Sequence, residues 1–525
     1  MRDDSFLRMA TPYARSFLRR LFLVASFVAV LPGMALTFAA EPGSPLPEGL
    51  KLTEPQIPIE LVGSLRSINE RLTKQVPPAQ NAAVFLLIAV GKDAFEPELK
   101  ADSLELMGVQ ALPPDAPQFV LLEDFTKFLD GVPPDQTHEV ALQIQDELFA
   151  AAEGPWSVEK YPRLLAYLTA NEKSLKTIST AADQPGYFVP MLSVEMPPRL
   201  LSATLNIERR FPFIARMYNA RAMHRLYTGD VDGALDDLLT CHQIALLLAN
   251  GSPFDVSNAK AHVVDAFATR GEGLVLASGR ISPEQLARYT KAFRALPPLP
   301  TADQAANIGE RAIVHQEIEL LSTDEESVRG FFEVPDASSR PAEKLPDLSG
   351  LKWDQALVGA DGIWDEIVKA LGTRDRATQK ELFAKLDQKL AQWEESTDED
   401  VEKFTEKLKS DPAATSRWVG ENMAWSLRPF WWQRRFSDDR ARVRRDLTNI
   451  GLALVAYRQD HGSFPAALSE LTPKYLPELP VDGHTDLPYD YTRETDGLAR
   501  VMSKGANQMN DAGNFYNDDQ NIELK

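Results

Sequence analysis

Apolar residues recur at intervals of three and four along most of the chain, the period of an amphipathic helix. Segments with this pattern lie around 137–152, 157–182, 198–228, 232–250, 256–278 and 282–295. Proline clusters punctuate them at Pro113-Pro114, Pro133-Pro134, Pro197-Pro198 and the Leu296–Pro300 run. Alternation of period two is nearly absent in this stretch, so the body is predicted to be mainly α. Asn81 to Val90 is apolar without a break. Asn81 as N-cap and Gly91 as terminator predict a short buried helix there, with a buried strand as the alternative.

One part of the body is more specific. A helix containing Ala220–Tyr227 ends near Thr228, Gly229-Asp230 turns the chain, and a second helix covers Gly233–Ala249. Ala234, Leu238, Cys241, Ala245 and Leu248 fall on one face of that second helix. The phrase Gly-Asp-x-x-x-Ala-Leu at the turn resembles a single tetratricopeptide-type (TPR-type) hairpin. No second copy follows at a period of about 34 residues, and a solenoid needs about three. The pattern therefore predicts an irregular TPR-like α-helical array.

Beyond Pro300 a helix is expected from Asp303 to Leu321, then a polar loop from Val334 to Gly350. A charged helical stretch covers 372–409, with Leu382, Leu386 and Trp393 on one face and Val401, Phe404 and Leu408 on another. Near the end, Val443, Leu447, Ile450, Leu454 and Tyr457 step by three and four, predicting a helix over Arg440–Gln459. Asp460-His461-Gly462 stops it, and Leu468 and Leu471 belong to a short helix. Pro488–Thr492 and Leu498–Met502 read as two strands joined through Asp496-Gly497. The organisation predicted is a leader at 1–40, an α-helical domain at 41–300, a charged helical region and connector at 301–437, and a small α+β domain at 438–525.

Composition narrows the functions. The 525 residues include 76 acidic and 56 basic side chains, a net charge of −20. That balance excludes a general nucleic-acid binder, which needs a basic footprint. The single cysteine, Cys241, excludes an intramolecular disulfide and every zinc site built on two thiolates. At the start, Arg2, Arg8, Arg15, Arg19 and Arg20 precede an uncharged run from Leu21 to Ala40 that closes on small residues. This is the pattern of a secretory signal peptide, with an uncleaved membrane anchor as the alternative. The expected location is outside the cytoplasm, in a bacterial periplasm or cell envelope.

Tyr457, Asp460, Gly462, Phe464-Pro465, Leu468, Leu471, Tyr475-Leu476, Leu479-Pro480 and Pro488-Tyr489-Asp490-Tyr491 resemble the globular part of the major pseudopilin of type II secretion. So does the ending Ser503-Lys504-Gly505-Ala506-Asn507 with Asp518-Asp519-Gln520-Asn521-Ile522. The whole chain also resembles a group of large, uncharacterised exported bacterial proteins with a helical body and this tail. The prepilin arrangement is missing, because Phe38 stands at the fifth position after Gly33, where a pseudopilin has Glu. About 400 residues then separate the leader from the pilin-like part, so the resemblance implies a borrowed module rather than a pilus subunit. It also implies calcium in the loop that closes the fold, with Asn507, Asp511, Asp518 and Asp519 as candidate ligands. Oxygen-rich side chains within a glycine-containing loop suit that ion. Asn507 stands where the family has Asp, which removes one charge and weakens the site. A polar C-terminus without an ion is the alternative.

Catalytic motifs are sparse. Nucleotide-binding glycine loops, a Gly-x-Ser-x-Gly elbow and His-Glu-x-x-His are missing from the sequence. Ser157/Lys160 and Ser257/Lys260 have the spacing of a Ser-Lys pair without its companion motifs. Arg311, His315 and Glu319 read as a surface ladder of ion pairs rather than a metal site. Cys241 reads as a core residue, with a Cys–His pair to His224 or His242 as the chemical alternative. Aromatic residues and arginines crowd Trp425–Arg445, which predicts docking between acidic domains, with membrane contact as the rival. The sequence thus points to an exported, non-catalytic protein-interaction or assembly module with a protein partner in the envelope. The rivals are an envelope hydrolase with a dispersed site and a structural component of a secretion or pilus-like system.

Overall fold

The computed structural model describes residues 47–58, 61, 63–203, 206–332, 346–396, 401–428, 430–494, 497–505 and 520–525. The protein is mainly α-helical. Its helices are α1 (Gly63–Gln75), α2 (Ala82–Val90), α3 (Lys100–Leu106), α4 (Leu122–Lys127), α5 (Thr137–Ala151), α6 (Pro162–Ala170) and α7 (Glu172–Ala182). The series continues with α8 (Asn206–Arg209), α9 (Phe211–Thr228), α10 (Val231–Gly251), α11 (Asp255–Ala277), α12 (Pro283–Ala295) and α13 (Ala302–Ala305). A π-helical turn (Ala306–Glu310) leads into α14 (Arg311–Leu321), and α15 (Glu325–Phe331) follows. The remaining helices are α16 (Trp353–Gly372), α17 (Arg376–Ser396), α18 (Val401–Ser410), α19 (Pro412–Ser426) and α20 (Trp431–His461). Strands β1 (Lys51–Leu52) and β2 (Val109–Ala111) pair antiparallel. Strands β3 (Asp490–Arg493), β4 (Ala499–Ser503) and β5 (Gln520–Leu524) form an antiparallel sheet in the order 3-4-5.

Local chemistry explains the boundaries. The Asn81 side chain accepts from the Ala83 backbone N–H at 3.0 Å and caps α2. The same oxygen accepts from Phe188 N and the amide donates to Phe188 O, so the cap also ties down a distant segment. Gly91 ends α2 at φ 81°, a left-handed value glycine adopts freely. The expected segment 157–182 divides at Asn171, which is buried and trades hydrogen bonds with the Val120 backbone. Pro162 begins α6 at its first turn, where proline costs no hydrogen bond. The hairpin of α9 and α10 turns at Gly229, with φ 90°, and the Asp230 carboxylate caps α10 by accepting from Gly233 N at 2.9 Å. Ser282 and Gln285 form a reciprocal capping box on α12.

Three buried apolar clusters hold the molecule together. The first spans α2, α5–α7, α9–α12, α20, β4 and β5. The second gathers α13–α19 around Trp364, Phe383, Trp425 and Trp431. There α16 and α19 cross so closely that a Cβ at Gly420 would lie 1.7 Å from the Ala356 carbonyl oxygen. The third joins α1 to Ala312 and Ile313 of α14 through Phe188, Met191 and Phe254. Helix α20 begins at Trp431, nine residues before the expected start, and lies along α11 and α12. The C-terminal α+β segment thereby shares the first core with the helical body. Among the described residues, no helix is long and apolar enough to cross a membrane.

Candidate functional site: a buried polar seam and an open groove

Helix α11 carries an unusual stripe. Asp255, His262, Asp265 and Glu272 follow one another along a slowly drifting face that is covered by other helices. Ionisable side chains are rarely buried unless they are paired. Here each finds partners on a different helix.

The middle of the stripe balances its acids with cations. His242 of α10 points Nδ1 at Asp265 Oδ1, 2.9 Å away, and Nε2 at Glu272 Oε1, 3.2 Å away. An imidazole facing carboxylates through both nitrogens is held as the imidazolium. Burial alone would lower the His242 pKa, but the Glu272 charge and the contacts to both acids push it up to about 10. Burial would likewise raise Asp265, yet His242 and Arg444 hold it down at about 2. Arg444 of α20 reaches Asp265 Oδ2 at 3.4 Å and the His262 carbonyl at 3.3 Å. Glu272 accepts from the Tyr289 hydroxyl of α12 and, at 3.0 Å, from the Thr448 hydroxyl of α20. Four helices therefore meet on two carboxylates.

The rest of the Trp425–Arg445 segment follows the same logic. Arg434 pairs with Asp255, and Arg435 with Asp439 at 3.0 Å. Arg445 donates to the Leu296 and Pro297 carbonyls and lies 5.1 Å over the Phe293 ring. Arg440 lies over Phe436. Trp425 and Trp431 are buried, while Phe430 and Trp432 are 65% and 50% exposed. These arginines are spent on carboxylates, carbonyls and rings of the chain itself.

An open groove of about 390 Å³ lies on the opposite side of α10, between α7, α9 and α10. At its floor Arg221 grips Asp237 with two bonds of 2.6 and 3.0 Å, and Arg225 adds a third contact at 2.9 Å. Burial raises the Asp237 pKa despite these partners. Asp183 accepts from Gln243 at 3.2 Å on one wall. Glu172 and Lys176 stand exposed at the lip. The groove is therefore charged, rigid at its floor and open at its rim.

The four candidate calcium ligands, Asn507, Asp511, Asp518 and Asp519, lie outside the described residues, as does the Leu21–Ala40 run. Cys241 is fully buried, its thiol directed at the Ala215 carbonyl, and burial pushes its pKa well up. It is a core residue, and the imidazole of its neighbour His242 is engaged with α11. His224 instead bonds the Trp156 carbonyl at 3.1 Å. Ser257 and Lys260 do converge, but on Glu208, which accepts from both and from Tyr187 in a sealed interior. Arg311 and His315 are not a surface ladder. They cross from α14 to α16, where both bind Asp361, at 2.8 and 2.9 Å, and Arg311 also binds Asp365. Glu319 turns the other way and accepts from Ser64 at 3.1 Å. The reason is that α14 is buried on most sides, so its polar groups need partners on neighbouring helices.

Sequence reasoning singled out Arg444 only as one of the arginines of the docking segment, and it missed Asp265, Glu272, Tyr289 and Thr448. One signal was present: Glu272 sits between Ala268 and Val275 on the apolar side of its helix. A scan against protein-family models finds no match, and no curated protein or solved structure is significantly similar to the chain.

Proposed function

We propose that this is an exported, non-catalytic cell-envelope protein that acts as a protein-interaction or assembly module. The observation that carries the reading is the charged groove between α7, α9 and α10, with its braced floor and exposed Lys176 and Glu172. Packed helix pairs offer concave surfaces of this kind to protein partners. In this reading the α9–α10 pair is a TPR-like hairpin, and the pseudopilin-like C-terminal segment is an accessory module locked on by the polar seam. Calcium held by Asn507, Asp511, Asp518 and Asp519 would stabilise its closing loop.

The test of the partner reading is crosslinking in envelope extracts with the full chain and with Lys176→Glu and Gln243→Glu variants. The reading expects a discrete partner whose yield falls at least about fivefold in the variants, a loss of about 1 kcal/mol. Equal capture by wild type and variants contradicts it. Calcium is tested by the thermal midpoint of the full chain with the ion and with chelator. Binding at a hundredfold excess over Kd adds about 2.7 kcal/mol, and Asp518→Ala with Asp519→Ala removes it. An unchanged midpoint contradicts the calcium reading and leaves the groove reading standing.

A further inference from the structure

The N-terminal end of the seam is built differently from its middle. Asp255 opens α11 and Glu310 closes the π-helical turn before α14. The Asp255 backbone N–H donates to Glu310 Oε1 at 3.1 Å, which brings the two carboxyls to one place. Arg434 of α20 pairs with Asp255 and is the guanidinium that faces both acids. Asp438, one turn further along α20, adds a third carboxyl. Its Oδ2 accepts from Ala302 N at 2.9 Å, and its Oδ1 lies 3.5 Å from His262 Nε2. Arg311, the next residue after Glu310, offers no relief, because it is turned into Asp361 and Asp365 of α16. Three carboxyls thus face one guanidinium and one imidazole.

Burial raises both Asp255 and Glu310, and repulsion from Asp438 and from Asp255, respectively, raises them further. Like charges crowded in one buried place cannot all ionise cheaply, so one proton is retained. The backbone at this point has little slack. Gly309 lies so close to the Pro253 carbonyl that a Cβ there would be 2.1 Å from its oxygen. The π turn is also the place where the second core, through α13 and α14, touches α11 of the first. π-Helical turns are defects in the α ladder and are frequent at functional sites.

We propose that Asp255 and Glu310 form a proton-operated latch, in which one retained proton keeps the π turn seated on α11 and its release loosens the seam between the two cores. The sign follows from linkage. A carboxyl raised in the folded state stabilises that state most on the acid side of the ordinary carboxylate range. The contribution is lost as pH rises through the raised value. Acidic surroundings therefore close the latch and alkaline ones release it. If the protein is exported, the latch meets the pH of the medium directly. The inference rests only on the seam, and it stands or falls independently of the partner reading.

Hydrogen exchange of the full chain, corrected for intrinsic rates, tests the latch between about pH 5.5 and 8.5. Wild type is expected to lose protection over residues 302–316 as pH rises, with the open fraction growing by up to about tenfold per pH unit for one released proton. Glu310→Gln cannot ionise and should keep these amides protected throughout. Peptides from α5, which packs against α4 and α9 rather than the π turn, should show no such slope. Constant protection of 302–316 in wild type overturns the proposal, and so does a Glu310→Gln protein that loses protection in parallel with wild type. Should Glu310→Gln fail to fold, Asp255→Asn is read by the same criterion. Should both fail, the wild-type slope decides alone.

Discussion

The two parts of the α11 seam use the same residue types and reach opposite electrostatic states. In the middle, Asp265 and Glu272 face the cations His242 and Arg444 and the hydroxyls of Tyr289 and Thr448, so each acid has a positive partner or several donors. At the N-terminal end, Asp255, Glu310 and Asp438 share Arg434 and His262. A buried carboxylate is neither stabilising nor destabilising by itself; the ratio of donors to acids around it decides. The middle is a fastener between the helical body and α20. The end holds surplus charge that a proton must neutralise.

The largest expected effect comes from breaking the fastener. Asp265→Ala strands the His242 imidazolium and Arg444 in the interior and should cost about 3–5 kcal/mol. Denaturant unfolding of the full chain measures it. Asp255→Asn at the other end removes surplus negative charge along with one Arg434 contact, and should cost under about 1.5 kcal/mol. Equal costs at the two sites would erase the distinction between them.

Acid and base sharpen the comparison next. Asp265, held at about 2 against an ordinary 3.8, gives stability that is present above the ordinary value and lost as pH falls towards 2. His242, raised to about 10 from 6.5, gives stability that is complete below 6.5 and lost as pH rises through 10. Asp255 and Glu310, both raised, give stability lost only on the alkaline side. Within the seam, the acid limb of a stability–pH profile therefore comes from the middle, alongside lowered carboxyls elsewhere such as Asp324 and Asp361. Asp265→Asn should reduce that limb, whereas Glu310→Gln should leave it unchanged and reduce the alkaline one.

Smaller effects follow. Thr448→Val removes one hydroxyl donor from Glu272, a hydrogen bond to a charged group, and should cost about 1.5 kcal/mol in the same unfolding measurement. Lys176→Glu, at the exposed groove lip and away from the seam, should change stability by less than about 0.5 kcal/mol. Its effect is expected in partner capture alone.

Local features of the fold were legible from sequence, and long-range ones were not. Asn81 and Gly91 marked the ends of α2 because capping chemistry acts within a few residues. Gly229-Asp230 marked the α9–α10 turn for the same reason, and the Ala234–Leu248 face is buried as its period required. The pair β3 and β4 followed from two short strand-like runs around a turn signal, whereas β5 went unread at the end of a polar tail although Ile522 and Leu524 alternate with polar residues. Helix α16 went unpredicted, although Gly359 lets it pack against the Arg417 carbonyl of α19. The start of α20 was placed late because its first two turns bury single aromatics among arginines instead of an apolar stripe. The seam was least legible. Asp265 and Arg444 are 179 residues apart; the arginine-rich segment signalled docking, but nothing local named the acid it meets. On α11 itself, only the anomaly could be read locally, acids on its covered side.

The account turns on α20 being fastened to α11 by that buried pair, and a double-mutant cycle tests this most directly. Unfolding free energies of wild type, Asp265→Asn, Arg444→Met and the double variant give the coupling between the two helices. A coupling of about 1–3 kcal/mol is predicted, with a single cooperative transition for body and C-terminal segment together. Additivity within about 0.3 kcal/mol, or a C-terminal segment that unfolds separately in wild type, would contradict the account.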